Sequence, residues 1–293
     1  MRIVFIGSVA FSRRTLNRLL EIKAEVIGVC TLKESPANAD HSDLSDICAA
    51  HSIPWIYAPD INSDETLGWI TDRHADVIFC FGWSRLLGQR LLNETSLGVV
   101  GFHPAALPAN RGRHPLIWAL VLGLQETAST FYFMNAEADA GDILSQRIVY
   151  IESADNATSL YEKVTRCALN QLDMFVPQLT ARSFSTSGQD HRLANTWRKR
   201  GKADGRIDWR MSARSIHNLI RALAPPYVGA YFLYRNNEYT VWNAELVTDV
   251  PHNIEPGKII AQENARPVVK CGEQGLRLLS VEPALDLPCG EYL

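Results

Sequence analysis

The residues best equipped for chemistry gather in one stretch of the chain, Gly101-Phe102-His103-Pro104-Ala105-Ala106-Leu107-Pro108-Ala109-Asn110-Arg111-Gly112-Arg113-His114-Pro115. An imidazole titrates near neutrality and so can take or give a proton under mild conditions. Prolines stiffen the loop around His103, and glycines let its backbone take turns closed to other residues. Two roles fit such a histidine: proton transfer, or a plain hydrogen bond that ties the loop together. A second concentration, Glu137-Ala138-Asp139-Ala140-Gly141-Asp142-Ile143-Leu144, is a carboxylate-rich turn between two strand-like runs. Asp and Gly serve turns for backbone reasons alone, so Asp139 and Asp142 are read both as turn formers and as candidate functional acids. If the two segments meet at one sheet edge, Asp139 orients His103 or keeps it cationic, a pairing that relays a proton or stabilises an oxyanion.

Short apolar runs recur at residues 3–6, 26–30, 77–81 and 99–102, each bounded by Gly, Asp or Thr and each too short for a helix. They read as strands buried on both faces. Helical stretches lie between them, at 12–22 with Leu16, Leu19 and Leu20 on one side, and at 42–50 with Leu44, Ile47 and Cys48. Strands alternating with helices predict an α/β fold with a doubly wound, mostly parallel, Rossmann-like sheet. Ligands of such sheets bind at the carboxyl ends of the strands, where His103 falls. The first turn, Gly7-Ser8-Val9-Ala10-Phe11, lacks the GxGxxG spacing of a dinucleotide site.

A strand-like pair at 130–134 and 143–150 and a long helix at 159–179 complete an N-terminal domain over 1–185. Residues 186–203 lose apolar periodicity and read as a linker. Beyond it, 204–293 carries one helix (212–223) and short alternating segments at 231–234, 238–242, 258–261, 268–270 and 276–281, which predict a smaller β-barrel-like (OB-like) domain.

At 293 residues with 46% hydrophobic and 21% charged side chains, the composition is that of a folded globular protein and excludes a disordered or fibrous chain. A net charge of -3 gives no overall basic field to draw in a polyanion. The six cysteines form no CxxC pair and are expected to be reduced and buried. No apolar run reaches the roughly 18 residues of a membrane span, and Arg2-Ile3-Val4-Phe5-Ile6 reads as a strand, not a signal peptide. A cytoplasmic protein is expected, without a metal.

The segments His103-Pro104 through Leu107-Pro108, Arg111-Gly112-Arg113, Pro115-Leu116-Ile117-Trp118 and Asp139-Ala140-Gly141-Asp142-Ile143-Leu144 resemble the N10-formyltetrahydrofolate-dependent formyltransferases, with His103 and Asp139 36 residues apart in that family's order. Ile207-Asp208-Trp209, residues 216–226, Tyr227-Val228-Gly229-Ala230 and Tyr239-Thr240-Val241-Trp242 resemble the linker and C-terminal domain of the same enzymes, and the chain as a whole is similar to the sugar branch that acts on UDP-4-amino-arabinose. The resemblance implies transfer of a formyl group from N10-formyltetrahydrofolate to an amine, with His103 and Asp139 catalytic. It places the folate beside Phe81, Trp83, Leu86, Leu87, Arg111 and Asp142, and the second substrate near Ser8; the basic run Trp197-Arg198-Lys199-Arg200-Gly201-Lys202 is read both as a solvated face and as a hold, through Arg198 and Arg200, for the phosphates of that substrate. The family pattern has Asn two residues before the histidine; here Gly101 stands in its place.

Family members formylate either initiator methionyl-tRNA or an amino sugar carried on a nucleotide. Binding tRNA requires several phosphates to be neutralised by Lys and Arg, yet the loop at 31–43 holds one Lys and the acidic residues Glu34, Asp40 and Asp43. The expected partners are therefore an amino-sugar nucleotide and folate, without nucleic acid or membrane, and a homodimer is compatible with the resemblance. The alternatives are a methionyl-tRNA formyltransferase and, because of Gly101, a non-catalytic protein that binds folate or a sugar nucleotide.

Overall fold

The computed structural model describes residues 1–35, 39–263, 266–284 and 287–293. The chain forms two compact units, one made of Met1–Pro115, Thr127–Val149 and Glu162–Trp197, the other of Leu116–Glu126, Tyr150–Tyr161 and Arg198–Leu293.

The first unit is built on a seven-stranded sheet in the order β3-β2-β1-β4-β5-β7-β8. Its strands are β1 (Arg2–Ile6), β2 (Glu25–Thr31), β3 (Trp55–Tyr57), β4 (Val77–Cys80), β5 (Val99–His103), β7 (Glu126–Phe133) and β8 (Ile143–Tyr150). The first five run parallel, and β7 pairs antiparallel with β5. Between them come α1 (Ala10–Glu21), α2 (Ser45–Ala50), α3 (Asp64–Thr71), α4 (Gln89–Leu92) and α5 (Pro115–Val121), and α6 (Ala157–Thr180) follows β8. The two-residue strand β6 (Arg111–Gly112) pairs with β9 (Thr196–Trp197).

Apolar residues are continuous along β1 and β4 because both faces of these strands are covered. On one face Phe5, Phe79, Phe81, Phe131 and Phe175 of α6 contact one another, with ring centroids 4.8–6.2 Å apart. On the other, Val4, Ile6, Ile78, Cys80 and Val99 pack with Leu67 and Ile70 of α3 and Leu91 and Leu92 of α4. Each fully buried Phe contributes on the order of 2–3 kcal/mol by burial, so strand order and sheet position are held from both sides. Helix α1 starts two residues before the sequence pattern suggested, because Ser12 Oγ accepts the Val9 amide at 3.1 Å and fastens the entering chain. Helix α2 starts three residues later than expected, since Asp43 Oδ1 takes the Ser45 amide at 2.9 Å and holds the preceding residues in a turn. Strand β7 begins four residues earlier than expected.

The second unit contains a five-stranded sheet in the order β10-β11-β14-β13-β12, from β10 (Ala230–Tyr234), β11 (Asn237–Val247), β12 (Ile259–Glu263), β13 (Arg266–Lys270) and β14 (Gly275–Glu282). Its paired strands are antiparallel. Helix α7 (Ala213–Ala222) buries Ile216, Leu219 and Ile220 and is capped by Ser212 Oγ, which accepts the Ser215 amide at 3.1 Å.

All six cysteines are free; Cys30, Cys48, Cys80 and Cys271 are buried, whereas Cys289 is exposed and Cys167 half-buried, a correction to the expectation of uniform burial. No helix among the described residues is long and apolar enough to cross a membrane.

Candidate active site

Strands β1, β4 and β5 are parallel neighbours, so the segments that follow them emerge at one edge of the sheet. Ser8 follows β1, the loop Phe81 to Leu87 follows β4, and His103 closes β5. Asp139 arrives by another route. Strand β7 ends beside the start of β5, with Phe133 opposite Val100, and the turn after it returns Asp139 to the far end of β5. Gly141 makes that return feasible, because a Cβ there would lie 1.7 Å from the Phe133 carbonyl oxygen. Asp139 itself has φ 58°, in the left-handed region that Asp and Asn tolerate best among side-chain-bearing residues.

His103 Nδ1 lies 3.6 Å from Asp139 Oδ1, with the two side chains 6% and 15% exposed. The other ring nitrogen, Nε2, is 2.8 Å from the Asn110 carbonyl oxygen. A carbonyl only accepts, so Nε2 carries a proton and Nδ1 is the nitrogen whose protonation can change. The 3.6 Å separation is too long for a direct hydrogen bond, and contacts of this kind commonly tighten only when substrate binds. Asp139 is held in turn on both oxygens: Tyr132 Oη donates to Oδ1 and the Gly112 amide to Oδ2, each at 2.9 Å. Burial, followed by the Asp139 charge and the hydrogen bond to it, pushes the Tyr132 phenol well above its ordinary range.

Gly101 leaves room for these groups. A Cβ on it would stand 2.8 Å from Met134 Cγ and 3.1 Å from Tyr132 Cζ, so the space that a side chain at 101 would take is filled by two residues from β7 and its end.

Arg111 is buried and spends its guanidinium inside the protein, on Glu137 Oε1 at 3.0 Å and Gln189 Oε1 at 2.8 Å, with His191 Nδ1 at 3.3 Å. Gln189 donates to the Asp139 and Gly141 carbonyls at 2.9 and 2.7 Å. Residues 187–197, read from the sequence within a linker, thus brace the turn that carries Asp139. Asp142 is exposed, and its carbonyl accepts the Phe133 amide at 2.8 Å.

In the loop after β4, the Phe81 ring sits in the aromatic core and its amide donates to Ile6, so Phe81 anchors the loop. Leu87 is buried with the α3–α4 cluster, Trp83 packs on the same cluster, and Leu86 is 72% exposed while its carbonyl accepts from Asn62. Among the described residues no backbone hydrogen bond engages Trp83, Arg85 or Leu87, and Trp83 Nε1 is buried without a partner. Ser8 Oγ is likewise buried without one. Open backbone groups and an unspent indole donor suit a flat heterocycle with alternating donors and acceptors.

Arg198 and Arg200 belong to the second unit. Arg198 is paired with Asp204, while Arg200 donates to the Asp204 carbonyl and lies 4.6 Å from the centre of the Trp118 ring. Among the described residues no three His, Cys, Asp or Glu side chains gather to hold a metal ion.

Sequence reasoning singled out His103 and Asp139, and the structure brings them together. It missed Tyr132, Gly112 and Gln189. Tyr132 sits in an apolar run that reads as core, and Gln189 lies in a segment without periodicity; Gly112 stands in the motif Arg111-Gly112-Arg113, but nothing in the sequence marks its amide as a partner of Asp139.

The model of the family described as formyl transferase matches residues 1–173, and that of the formyl transferase C-terminal domain matches 199–287. Among solved structures the chain is similar to WlaRD, described as a sugar 3N-formyl transferase in the presence of dTDP and 5-N-formyl-THF (TM-score 0.74, 13% identity, covering 97% of this chain and 99% of that one). It is similar to HypX from Aquifex aeolicus in complex with tetrahydrofolic acid (TM-score 0.67, 18% identity), covering 96% of this chain and only 44% of HypX, so it spans less than half of that protein. It is also similar to the methionyl-tRNA formyltransferase from Clostridium thermocellum (TM-score 0.63, 17% identity, 85% and 95% covered). At such identities the likeness is one of fold.

Proposed function

Because the chain belongs to the formyl transferase family, we propose that it moves a formyl group from N10-formyltetrahydrofolate to the amine of a sugar carried on a nucleotide, with His103 as the base. The observation that carries this reading is the occupation of His103 Nε2 by the Asn110 carbonyl, which leaves Nδ1, 3.6 Å from Asp139, as the nitrogen able to accept a proton.

The steps follow from that assignment. The amine nitrogen bonds to the formyl carbon and the carbonyl electrons move onto oxygen, giving a tetrahedral oxyanion. Nδ1 takes the proton that the nitrogen sheds. The imidazolium so formed faces a carboxylate on one side and a carbonyl on the other, both acceptors, which stabilises it as it develops. When the C–N10 bond breaks, the oxyanion collapses to the new formamide and the proton passes from Nδ1 to N10 of the departing tetrahydrofolate. The loop from Trp83 to Leu87 is the candidate support for the pterin, and Ser8 is a candidate contact of the sugar nucleotide.

Two considerations favour the sugar over tRNA. The loop at 31–43, of which residues 36–38 lie outside the described part, is acidic, and its Asp43 is bonded to Arg13, Ser45 and Tyr57. The described WlaRD complex contains a thymidine diphosphate and a formylated folate. Incubation with a panel of amino-sugar nucleotides and formyl-folate, read by mass spectrometry for the gain of one CO, tests the reading. A product should appear with wild type and be lost in His103→Asn. Efficient formylation of initiator methionyl-tRNA, with no sugar product, would overturn the sugar assignment, and folate binding without any turnover would favour a non-catalytic protein.

A further inference from the structure

We propose that Tyr132 is a positioning residue of this site: its buried hydroxyl holds the Asp139 carboxylate in the orientation that faces His103 Nδ1. The assignment rests on the reading of His103 as base.

Tyr132 lies directly opposite Gly101 in the antiparallel pairing of β7 with β5. Residues in direct register point to the same face of a sheet and compete for the space between them. With only hydrogen at 101, the tyrosine ring fits there, its Cζ 3.1 Å from where a Cβ would be. The hydroxyl on that carbon then reaches Asp139 Oδ1, while the Gly112 amide holds Oδ2. One donor on each oxygen stops the carboxylate from pivoting about its Cβ–Cγ bond, so Oδ1 stays beside Nδ1. Tyr132 is 3% exposed, which keeps water from replacing either partner.

The phenol shares Oδ1 with the imidazolium that forms during the reaction, so its donor strength tunes how well the carboxylate supports the cation. The other titratable and charged groups packed around this set are Cys80 of β4, acting on Tyr132, and the Arg111–Glu137 pair with His191 on the far side of the Asp139 turn. Taking the donor away loosens the carboxylate, which lowers the rate, but the Gly112 amide still holds Oδ2 and Oδ1, relieved of a competing hydrogen, is the stronger acceptor, so the ring holds its proton more tightly. A more acidic phenol does the opposite.

The test compares kcat, KM and pH-rate profiles of wild type, Tyr132→Phe and an enzyme with trifluorotyrosine at 132, which keeps the shape of tyrosine and donates more strongly. Tyr132→Phe should lower kcat about 10-fold, the weight of a hydrogen bond to a charged group, with KM little changed. Its acid limb should move to higher pH, and that of the trifluorotyrosine enzyme to lower pH. Damage to packing alone would not displace the limb in opposite directions. Limbs that coincide with wild type, or that move the same way, overturn the proposal. Should Tyr132→Phe fail to fold, the trifluorotyrosine enzyme decides: a limb at lower pH supports the role and an unmoved limb overturns it. Full activity in His103→Asn removes the base reading and this role with it, whereas an inactive His103→Asn together with unmoved limbs at 132 removes this role alone.

Discussion

Asp139→Asn isolates the charge of the carboxylate from its shape. Asparagine is isosteric and tolerates the φ of 58° at this position, so the turn should persist. The Gly112 amide can only donate, so the asparagine oxygen must stay on it and the new NH2 must point toward Tyr132 and His103. Tyr132 can rotate its hydroxyl to accept, but His103 then meets an N–H where a negative oxygen stood. Two unit charges 3.6 Å apart interact by about 4–5 kcal/mol at an effective dielectric near 20. If about half of that is realised as the imidazolium forms, the barrier rises by about 2 kcal/mol, and covering the Nδ1 lone pair with an amide hydrogen adds about 1 kcal/mol. Together these predict a loss in kcat of about 100-fold or more. The acid limb should move to lower pH, because the imidazolium has lost its counter-charge. The substrate amine titrates as well, but its limb follows the substrate and should not move. Formyl transfer by purified enzyme across a range of pH, with circular dichroism to confirm folding, measures both effects. A folded variant within tenfold of wild type, with its acid limb in place, refutes the pairing and the proton transfer built on it.

Three further predictions follow from the same geometry. Gly101→Ala drives a methyl to within 2.8 Å of Met134 Cγ and 3.1 Å of Tyr132 Cζ; Met134 can yield and Tyr132 cannot, so thermal unfolding should show about 1–3 kcal/mol of destabilisation, with a fall in kcat that Met134→Ala does not restore. Gln189→Leu strips a partner from the buried Arg111 and donors from the Asp139 and Gly141 carbonyls, and urea unfolding should register a loss of about 2 kcal/mol or more; an unchanged midpoint would show that water replaces those bonds. Burial raises the thiols of Cys30, Cys48, Cys80 and Cys271 from 9.0 to about 12, and Tyr132 is raised as well. Groups raised in the folded state stabilise it fully below their unfolded pKa, so stability should decline from about pH 9 upward as the unfolded chain releases protons first, and denaturant midpoints that stay level from pH 8 to about 11 would contradict these shifts.

The sequence by itself determined the parallel sheet and the principal pair. Runs such as residues 77–81 are apolar at every position because helices cover both faces, and that pattern survives in the sequence whatever the neighbours are. His103 was legible because a strand end followed by a proline- and glycine-rich loop marks the carboxyl edge of such a sheet, and Asp139 because it stood in a carboxylate-rich turn at the spacing of a known family. What the tertiary structure alone decided is how these side chains are held. Tyr132 reads as core in an apolar run, and only the register that sets it opposite Gly101 turns it toward Asp139, since a slip of one residue would point it to the other face. The family resemblance set Arg111 beside the folate, yet its guanidinium is bonded to Glu137 and Gln189, 26 and 78 residues away. Gln189 itself has no pattern around it, because a segment that runs over a surface and bonds through its polar groups leaves no periodic trace. Hydrophobic burial repeats with the strand and the helix and can be read along the chain; hydrogen bonds between distant segments depend on register and turn geometry, which exist only once the chain has folded.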